Sequence, residues 1–389
     1  MCGPSVPASG LQNSKFSYGN IYNAYLDCRK KKRNTFNALK YEINAEENNL
    51  KLERDLKSRA YHPSRSLLFA AKKPKVREIF AADFRDRVVH HLLVKELEQI
   101  YEPVFIYDSY ACRDNKGTHA AVKRLQKFQR QVTKNGHVSA WFLQLDIKDF
   151  FTSINKDRLF SMIRRKVKNP DILWLTERIL FWDCTKSYAA RGDKQLLFDI
   201  PPNKSLFGKN NERGLPIGNL TSQYFANIYL DKLDQYIKHT LKAKRYIRYV
   251  DDFVLLSRRE GELAEWQFKI ERFLRDKLLL SLHPKRRQLL PISNGIDFLG
   301  YIVRPRYILV RNRVVNNLRH RMINSNGRAD SFLTSYLGHF KLANAYNLSK
   351  SVLRFLPYYD TDRKWPGGGR GGRGMAAPIK TQEELCYKK

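Results

Sequence analysis

Apolar residues recur at two spacings along this chain, and the alternation between them predicts a mixed helical and stranded body. Val88, Val89, Leu92, Leu93, Leu97 and Ile100 share one helical face within 83–101, and residues 117–135 predict a second, strongly basic helix. Leu39, Ile43, Leu50 and Leu56 fall at helical spacing among charges and predict an exposed N-terminal helix. Residues 66–82 predict two short strands joined by the basic turn Lys72-Lys73-Pro74-Lys75, whose proline favours a hairpin. Ala140 to Ile147 is an apolar run of strand length, 156–182 reads as helical, 201–218 as a Gly/Pro/Asn-rich loop, and 220–241 as a long helix. Tyr246 to Ser257 then forms two short apolar runs on either side of Asp251-Asp252. Beyond Tyr301 the chain reads as basic and helical to about Tyr359, without strong strand signals. Gly367 to Gly374, a Gly/Arg run, predicts a flexible tail because it cannot pack a core. Together these elements predict an α+β or α/β core.

Charge changes the picture more than composition does. The 389 residues carry 72 Lys+Arg against 38 Asp+Glu, a formal charge of +34 at pH 7, while 42% of them are hydrophobic. A folded body so cationic repels itself, which points to a polyanionic partner, a nucleic acid ahead of an anionic membrane. The five cysteines form no C-x-x-C pair, so neither a disulfide framework nor a zinc knuckle is expected, and a reducing cytosol fits. No secretory h-region and no run of 18 apolar residues is found, so the expectation is a soluble, cytoplasmic protein.

The candidate chemistry lies in three aspartates. Asp146 ends an apolar strand-like run, and Asp251 and Asp252 occupy the turn of the 246–257 hairpin, positions where an ionised carboxylate is costly. Any one of them could pair with a neighbouring Arg or cap a turn. If the hairpin lies beside the strand of Asp146, all three converge, and two such charges about 4 Å apart repel by roughly 4 kcal/mol at an effective dielectric of about 20. A divalent cation resolves that repulsion, and all-oxygen ligands suit Mg²⁺ in the two-ion arrangement used for phosphoryl transfer.

Leu145-Asp146-Ile147-Lys148-Asp149-Phe150-Phe151 resembles motif A of reverse transcriptases, and Tyr249-Val250-Asp251-Asp252 resembles their motif C. Gly214 to Gln223 is similar to motif B, Leu282 to Arg287 to motif D, and Asp297 to Tyr301 to the primer-grip motif E; Arg77 and the stretch from Ser109 to Gly117 match finger motifs. The resemblance implies a right-hand polymerase fold, with a basic N-terminal extension over 1–60, fingers over 61–140, a palm over 141–304, a helical thumb over 305–360 and a Gly/Arg-rich tail over 361–389. It further implies that Asp146 and Asp251 bind two Mg²⁺ ions, with Asp252 assisting and the backbone carbonyl of Ile147 completing one shell. Lys75 and Arg77 would clamp the incoming triphosphate. Phe151 would lie beneath the sugar and select deoxynucleotides, and Gly218 and Gln223 belong to the motif that contacts the nascent pair. The motif D lysine aligns with Arg286, which is too basic to donate a proton readily, so Lys285 is the candidate general acid.

One detail points to a branch. Ile217 precedes Gly218 and the motif closes with Ser222-Gln223, where intron-type enzymes carry Gln before the glycine and close with Ser-Pro. That form is similar to the reverse transcriptases of diversity-generating retroelements; the retron V-T-G element is absent, and little room follows the thumb for maturase or endonuclease regions. The implied function is an RNA-directed DNA polymerase, encoded by a bacterium, archaeon or phage, that copies a template-repeat RNA into adenine-mutagenised cDNA for mutagenic retrohoming. Its partners would be the template RNA, the cDNA/RNA duplex, dNTPs and a basic oligomeric accessory protein, with no membrane. The alternatives are a group II-like, CRISPR-associated or phage-defence reverse transcriptase, or a non-catalytic RNA-binding protein with this fold.

Overall fold

The computed structural model describes residues 14–30, 33–72, 76–193, 195–323 and 330–353. Lys73, Pro74 and Lys75 of the basic turn, and the Gly/Arg-rich tail, lie outside them. The chain opens with α1 (Tyr18–Arg29), α2 (Phe36–Ile43), α3 (Ala45–Lys57), β1 (Ser66–Ala71), β2 (Arg77–Ala81), α4 (Phe84–Tyr101) and α5 (Thr118–Val132). It continues through β3 (Trp141–Ile147), α6 (Phe150–Ser153), α7 (Lys156–Lys166), α8 (Pro170–Leu180), β4 (Tyr188–Ala190), α9 (Gln195–Phe198) and α10 (Leu220–Gln235) to β5 (Tyr246–Tyr249) and β6 (Asp252–Ser257). It ends with α11 (Glu260–Leu278), β7 (Leu282–Pro291), β8 (Ile296–Phe298), β9 (Tyr301–Val303), β10 (Ile308–Val310), α12 (Asn312–Ile323), α13 (Asp330–Phe340) and α14 (Tyr346–Leu353).

These elements form two compact units, each assembled from separate stretches of sequence. The first comprises the described residues within 14–105, 149–232 and 275–280. In it β1 pairs antiparallel with β2 and parallel with β4, and α4 buries Val88, Val89, Leu92, Leu93 and Leu97 as its helical stripe requires. Ile100, at the end of that stripe, stays half-buried. The helix α1 falls in the polar N-terminal stretch, where no helix was expected. Its face is Ile21, Ala24, Tyr25 and Cys28, and the ring of Tyr25 meets Phe84 of α4 edge-on, so tyrosine supplies the apolar stripe. Leu39, Ile43 and Leu50 are exposed as expected, whereas Leu56 is fully buried.

The second unit comprises the described residues within 106–148, 233–274 and 281–353. Its four-stranded antiparallel sheet runs in the order β5-β6-β3-β7. On one face Phe142, Ile247, Val254 and Leu256 pack with Val122, Leu125 and Phe128 of α5 and with Phe298, Tyr301 and Val303. A second sheet, β10-β9-β8, begins before Tyr301 and extends beyond it, so the segment read as helical opens with strands. Each of these strands is three residues long, too short for alternation to register. Val315 and Leu318 of α12, Leu333 and Phe340 of α13 and Ala345 then build a small helical core.

Candidate active site

The three aspartates belong to the second unit, and strand pairing decides where two of them stand. In the β3–β6 ladder Leu145 faces Phe253 and Asp146 faces Asp252, so the two carboxylates leave the same face of the sheet as direct cross-strand neighbours. Across the hairpin Tyr249 pairs with Asp252, which leaves Val250 and Asp251 as the turn. The turn thus contains one aspartate of the pair rather than both, and Asp252 is the first residue of its strand. Val250 has φ 55°, a left-handed conformation that a β-branched residue adopts only at a cost of about 1–3 kcal/mol.

Asp146 ends its regular pairing with β7 in a bulge: Leu145 faces Arg287, but Ile147 faces Leu282. His283 to Arg286 stand opposite Asp146 alone, and from this bulge the guanidinium of Arg286 donates to the Asp146 carboxylate. Lys285 is exposed, and its backbone N–H donates to Nδ1 of His283 at 3.2 Å. Arg286, not Lys285, therefore meets the acidic group. Ile147 closes β3 with its side chain buried, in register with Leu282.

Two residues that the sequence reading left out complete this cluster. Nε2 of Gln144 donates to Oδ1 of Asp252 at 3.0 Å and to the carbonyl of Asp297 at 3.0 Å, while its Oε1 is buried without a hydrogen-bond partner. Asp297 is salt-bridged to Arg311 at 3.0 Å. Burial pushes the Asp252 carboxyl up to about 7; the Gln144 bond opposes this, and the negative charges of Asp251, Asp146 and Asp297 add to it. Burial also raises Asp297, against the pull of Arg311. A polar residue within the apolar run of β3 was the available signal for Gln144.

The donor set suits a hard divalent cation, because carboxylates crowded enough to raise one another's proton affinity gain most from a positive ion. Among the described residues, however, no three His, Cys, Asp or Glu side chains are grouped closely enough to surround one ion. Asp146 is turned to Arg286, and its oxygens would have to leave that partner to join Asp251 and Asp252.

The remaining candidates belong to the first unit. Leu215 N–H donates to the Phe151 carbonyl at 2.8 Å, Gly214 N–H to the Ile154 carbonyl at 2.9 Å, and Phe80 N–H of β2 to the Ile217 carbonyl at 2.9 Å. These bonds bring the Gly214–Asn219 loop together with Phe151 and with the strand that Arg77 opens. Arg77 is exposed, and Phe151, Ile217 and Gln223 are half-buried. Gly218 has φ +118°, and a Cβ there would lie 2.8 Å from Cγ2 of Ile79 and 3.3 Å from the Phe80 carbonyl oxygen. What demands glycine here is the close approach of β2.

The family model described as reverse transcriptase (RNA-dependent DNA polymerase) matches residues 70–303. The chain is 22% identical over 333 residues to the group II intron-encoded protein LtrA of Lactococcus lactis subsp. cremoris, covering 67% of this chain and 50% of that protein. It is 24% identical over 290 residues to protein YkfC of Escherichia coli, covering 66% of this chain and 71% of that protein. Apo telomerase from Candida tropicalis overlays 66% of this chain and 58% of its own with a TM-score of 0.44 at 11% identity. The chain thus spans about half the length of the Lactococcus protein. Mixed helices and sheets, with motifs A to E inside the matched segment, fit the right-hand polymerase fold. With more than half of its length matched by that model, the chain belongs to the reverse transcriptase family.

Proposed function

We propose that the chain is an RNA-directed DNA polymerase whose chemistry is carried by Asp146, Asp251 and Asp252. The carrying observation is the cross-strand pairing of Asp146 with Asp252 next to the turn that holds Asp251. Reverse transcriptases use divalent metal ions, and hard oxygen donors favour Mg²⁺. Asp146 and Asp251 would hold two such ions, with Asp252 and the Ile147 carbonyl assisting, and when bound the ions would acidify the primer 3′-hydroxyl and neutralise charge on the triphosphate. Asp146 must leave Arg286 for this role, and the guanidinium then offers a bidentate fork to phosphate oxygens. Lys285 is the proton donor in this reading, because Arg286 holds its proton too firmly. Lys75 and Arg77 would bind the triphosphate, Phe151 would exclude a 2′-hydroxyl, and Ile217, Gly218 and Gln223 would contact the nascent pair.

Within the family the reading is a diversity-generating retroelement enzyme that copies a template-repeat RNA into adenine-mutagenised cDNA and works with a basic oligomeric accessory protein. Its support is the Ile217-Gly218 to Ser222-Gln223 pattern, in which an aliphatic side chain replaces an amide at the nucleotide contact. A second reading, an intron-type reverse transcriptase, is favoured by the similarity to LtrA.

Primer extension on poly(rA)/oligo(dT) with Mg²⁺ tests the activity, and no extension would favour a non-catalytic RNA-binding role. Sequencing of cDNA made on RNA templates, with and without the accessory protein, separates the two branches. Errors concentrated opposite template adenines, reduced in Ile217→Gln, support the retroelement enzyme; evenly spread errors that Ile217→Gln leaves unchanged favour the intron type.

A further inference from the structure

Directly behind the Val250-Asp251 turn lies a charged pair that the chemistry above does not use. Arg248 and Asp234 are almost completely removed from solvent, with side-chain exposures of 1% and 0%. Nε of Arg248 donates to Oδ1 of Asp234 at 2.8 Å, and Nη2 donates to Oδ2 at 2.6 Å, the two-pronged geometry only arginine offers. The same Nη2 donates to Oγ of Ser109 at 3.0 Å, and the hydroxyl of Tyr246 donates to Oδ1 of Asp234 at 2.6 Å. The backbone of Arg248 is bonded on both sides, to the Asp108 carbonyl and from the Tyr110 N–H, each at 3.0 Å.

A further contact points at the site. Nη1 of Arg248 donates to the carbonyl of Val250 at 3.0 Å, so the guanidinium grips the residue that is forced to φ 55° and immediately precedes Asp251. A strained backbone persists only where its surroundings over-determine it. A buried ion pair is weak evidence for stability, because apolar residues of similar volume often serve as well, which leaves room for a positioning role.

We infer that Arg248 is a positioning residue, fixed by Asp234, that locks the Tyr249–Asp252 turn in the geometry from which Asp251 and Asp252 hold the ions. The inference rests on the reading of those aspartates as ion-holding groups. Arg248→Lys keeps the charge opposite Asp234, but a single ammonium cannot make the two-pronged contact and reach the Val250 carbonyl as well.

The test is primer extension as a function of Mg²⁺ concentration, alongside thermal melting, with full-length Arg248→Lys and the paired variant Arg248→Met/Asp234→Leu, which removes both charges of the pair together. Asp251→Asn is the control for the underlying reading. In whichever variant folds, the Mg²⁺ concentration for half-maximal rate should rise about ten-fold or more and kcat should fall, while the KM for dNTP moves less than about three-fold. Wild-type Mg²⁺ dependence and kcat in either folded variant, with Asp251→Asn inactive, overturn the positioning role alone. Extension that survives Asp251→Asn overturns the underlying reading instead. Should neither arginine variant fold, Val250→Pro is read in their place: it forbids the left-handed turn, and unchanged Mg²⁺ dependence in it overturns the inference.

Discussion

Asp146 and Asp252 stand directly opposite each other in the β3–β6 ladder, and each has a different neighbour to offset its charge. Asp146 takes a guanidinium from Arg286, whereas Asp252 takes the neutral amide of Gln144 and is pushed up to about 7. Side by side on one sheet face, one carboxylate is met by a cation, while burial raises the proton affinity of the other.

The pH dependence follows from Asp252. Its folded-state pKa of about 7 lies above the ordinary 3.8, so the fold retains a proton there that an ion must displace. Apparent Mg²⁺ affinity should therefore rise by up to about ten-fold per unit between about pH 6 and 7 and level off above about pH 8. Asp252→Asn, which cannot titrate, should flatten that slope. The same substitution should raise the melting temperature of the metal-free protein relative to wild type above about pH 8, where the buried charge is nearly fully present, and leave it nearly unchanged near pH 4. Mg²⁺ titrations by calorimetry at several pH values check the first outcome, and paired melts check the second.

Arg286 competes with cations for Asp146. The pair is partly exposed, with side-chain exposures of 46% and 15%, so it is worth at most about 1 kcal/mol. Arg286→Gln should tighten Mg²⁺ binding by up to about five-fold, and unchanged or weaker binding would show that Arg286 is not a competitor. Lys285→Ala should leave Mg²⁺ binding unaltered while slowing single-nucleotide addition by about 10²-fold if Lys285 is the general acid.

Gly218 is held by β2 independently of any substrate. Gly218→Ala would drive a methyl against Ile79 and the Phe80 carbonyl at a positive φ, and should destabilise the fold by about 1–3 kcal/mol. Urea denaturation measures this directly, and an unshifted midpoint would rule out the steric account.

The β5–β6 hairpin, the β1–β2 hairpin and α4 were legible because each has a clean period and a boundary: Asp251-Asp252 between apolar runs, Pro74 in a basic turn, and Asp83 capping the helix through its bond to the Arg85 N–H. The strand β7 was not, since Leu282-His-Pro-Lys-Arg-Arg-Gln-Leu-Leu-Pro291 is basic and carries two prolines, which the edge strand of the sheet, next to β3, tolerates. The meeting of Asp146 with Asp252 beside Asp251 was legible from their apolar surroundings; their partners were not. Arg286 reaches Asp146 through a bulge that has no sequence signature, and Gln144 gains its meaning from a cross-strand register. Arg248 did carry a signal: an arginine inside Tyr246-Ile-Arg-Tyr-Val requires a buried acid, and Asp234 supplies it from the end of α10.

The most direct test replaces the acids one at a time. Primer extension on an RNA template with Mg²⁺ should be abolished in Asp146→Asn and in Asp251→Asn while RNA binding and melting temperature stay at wild-type values. Extension at near wild-type rates in either variant would contradict the assignment of polymerase chemistry to this carboxylate cluster.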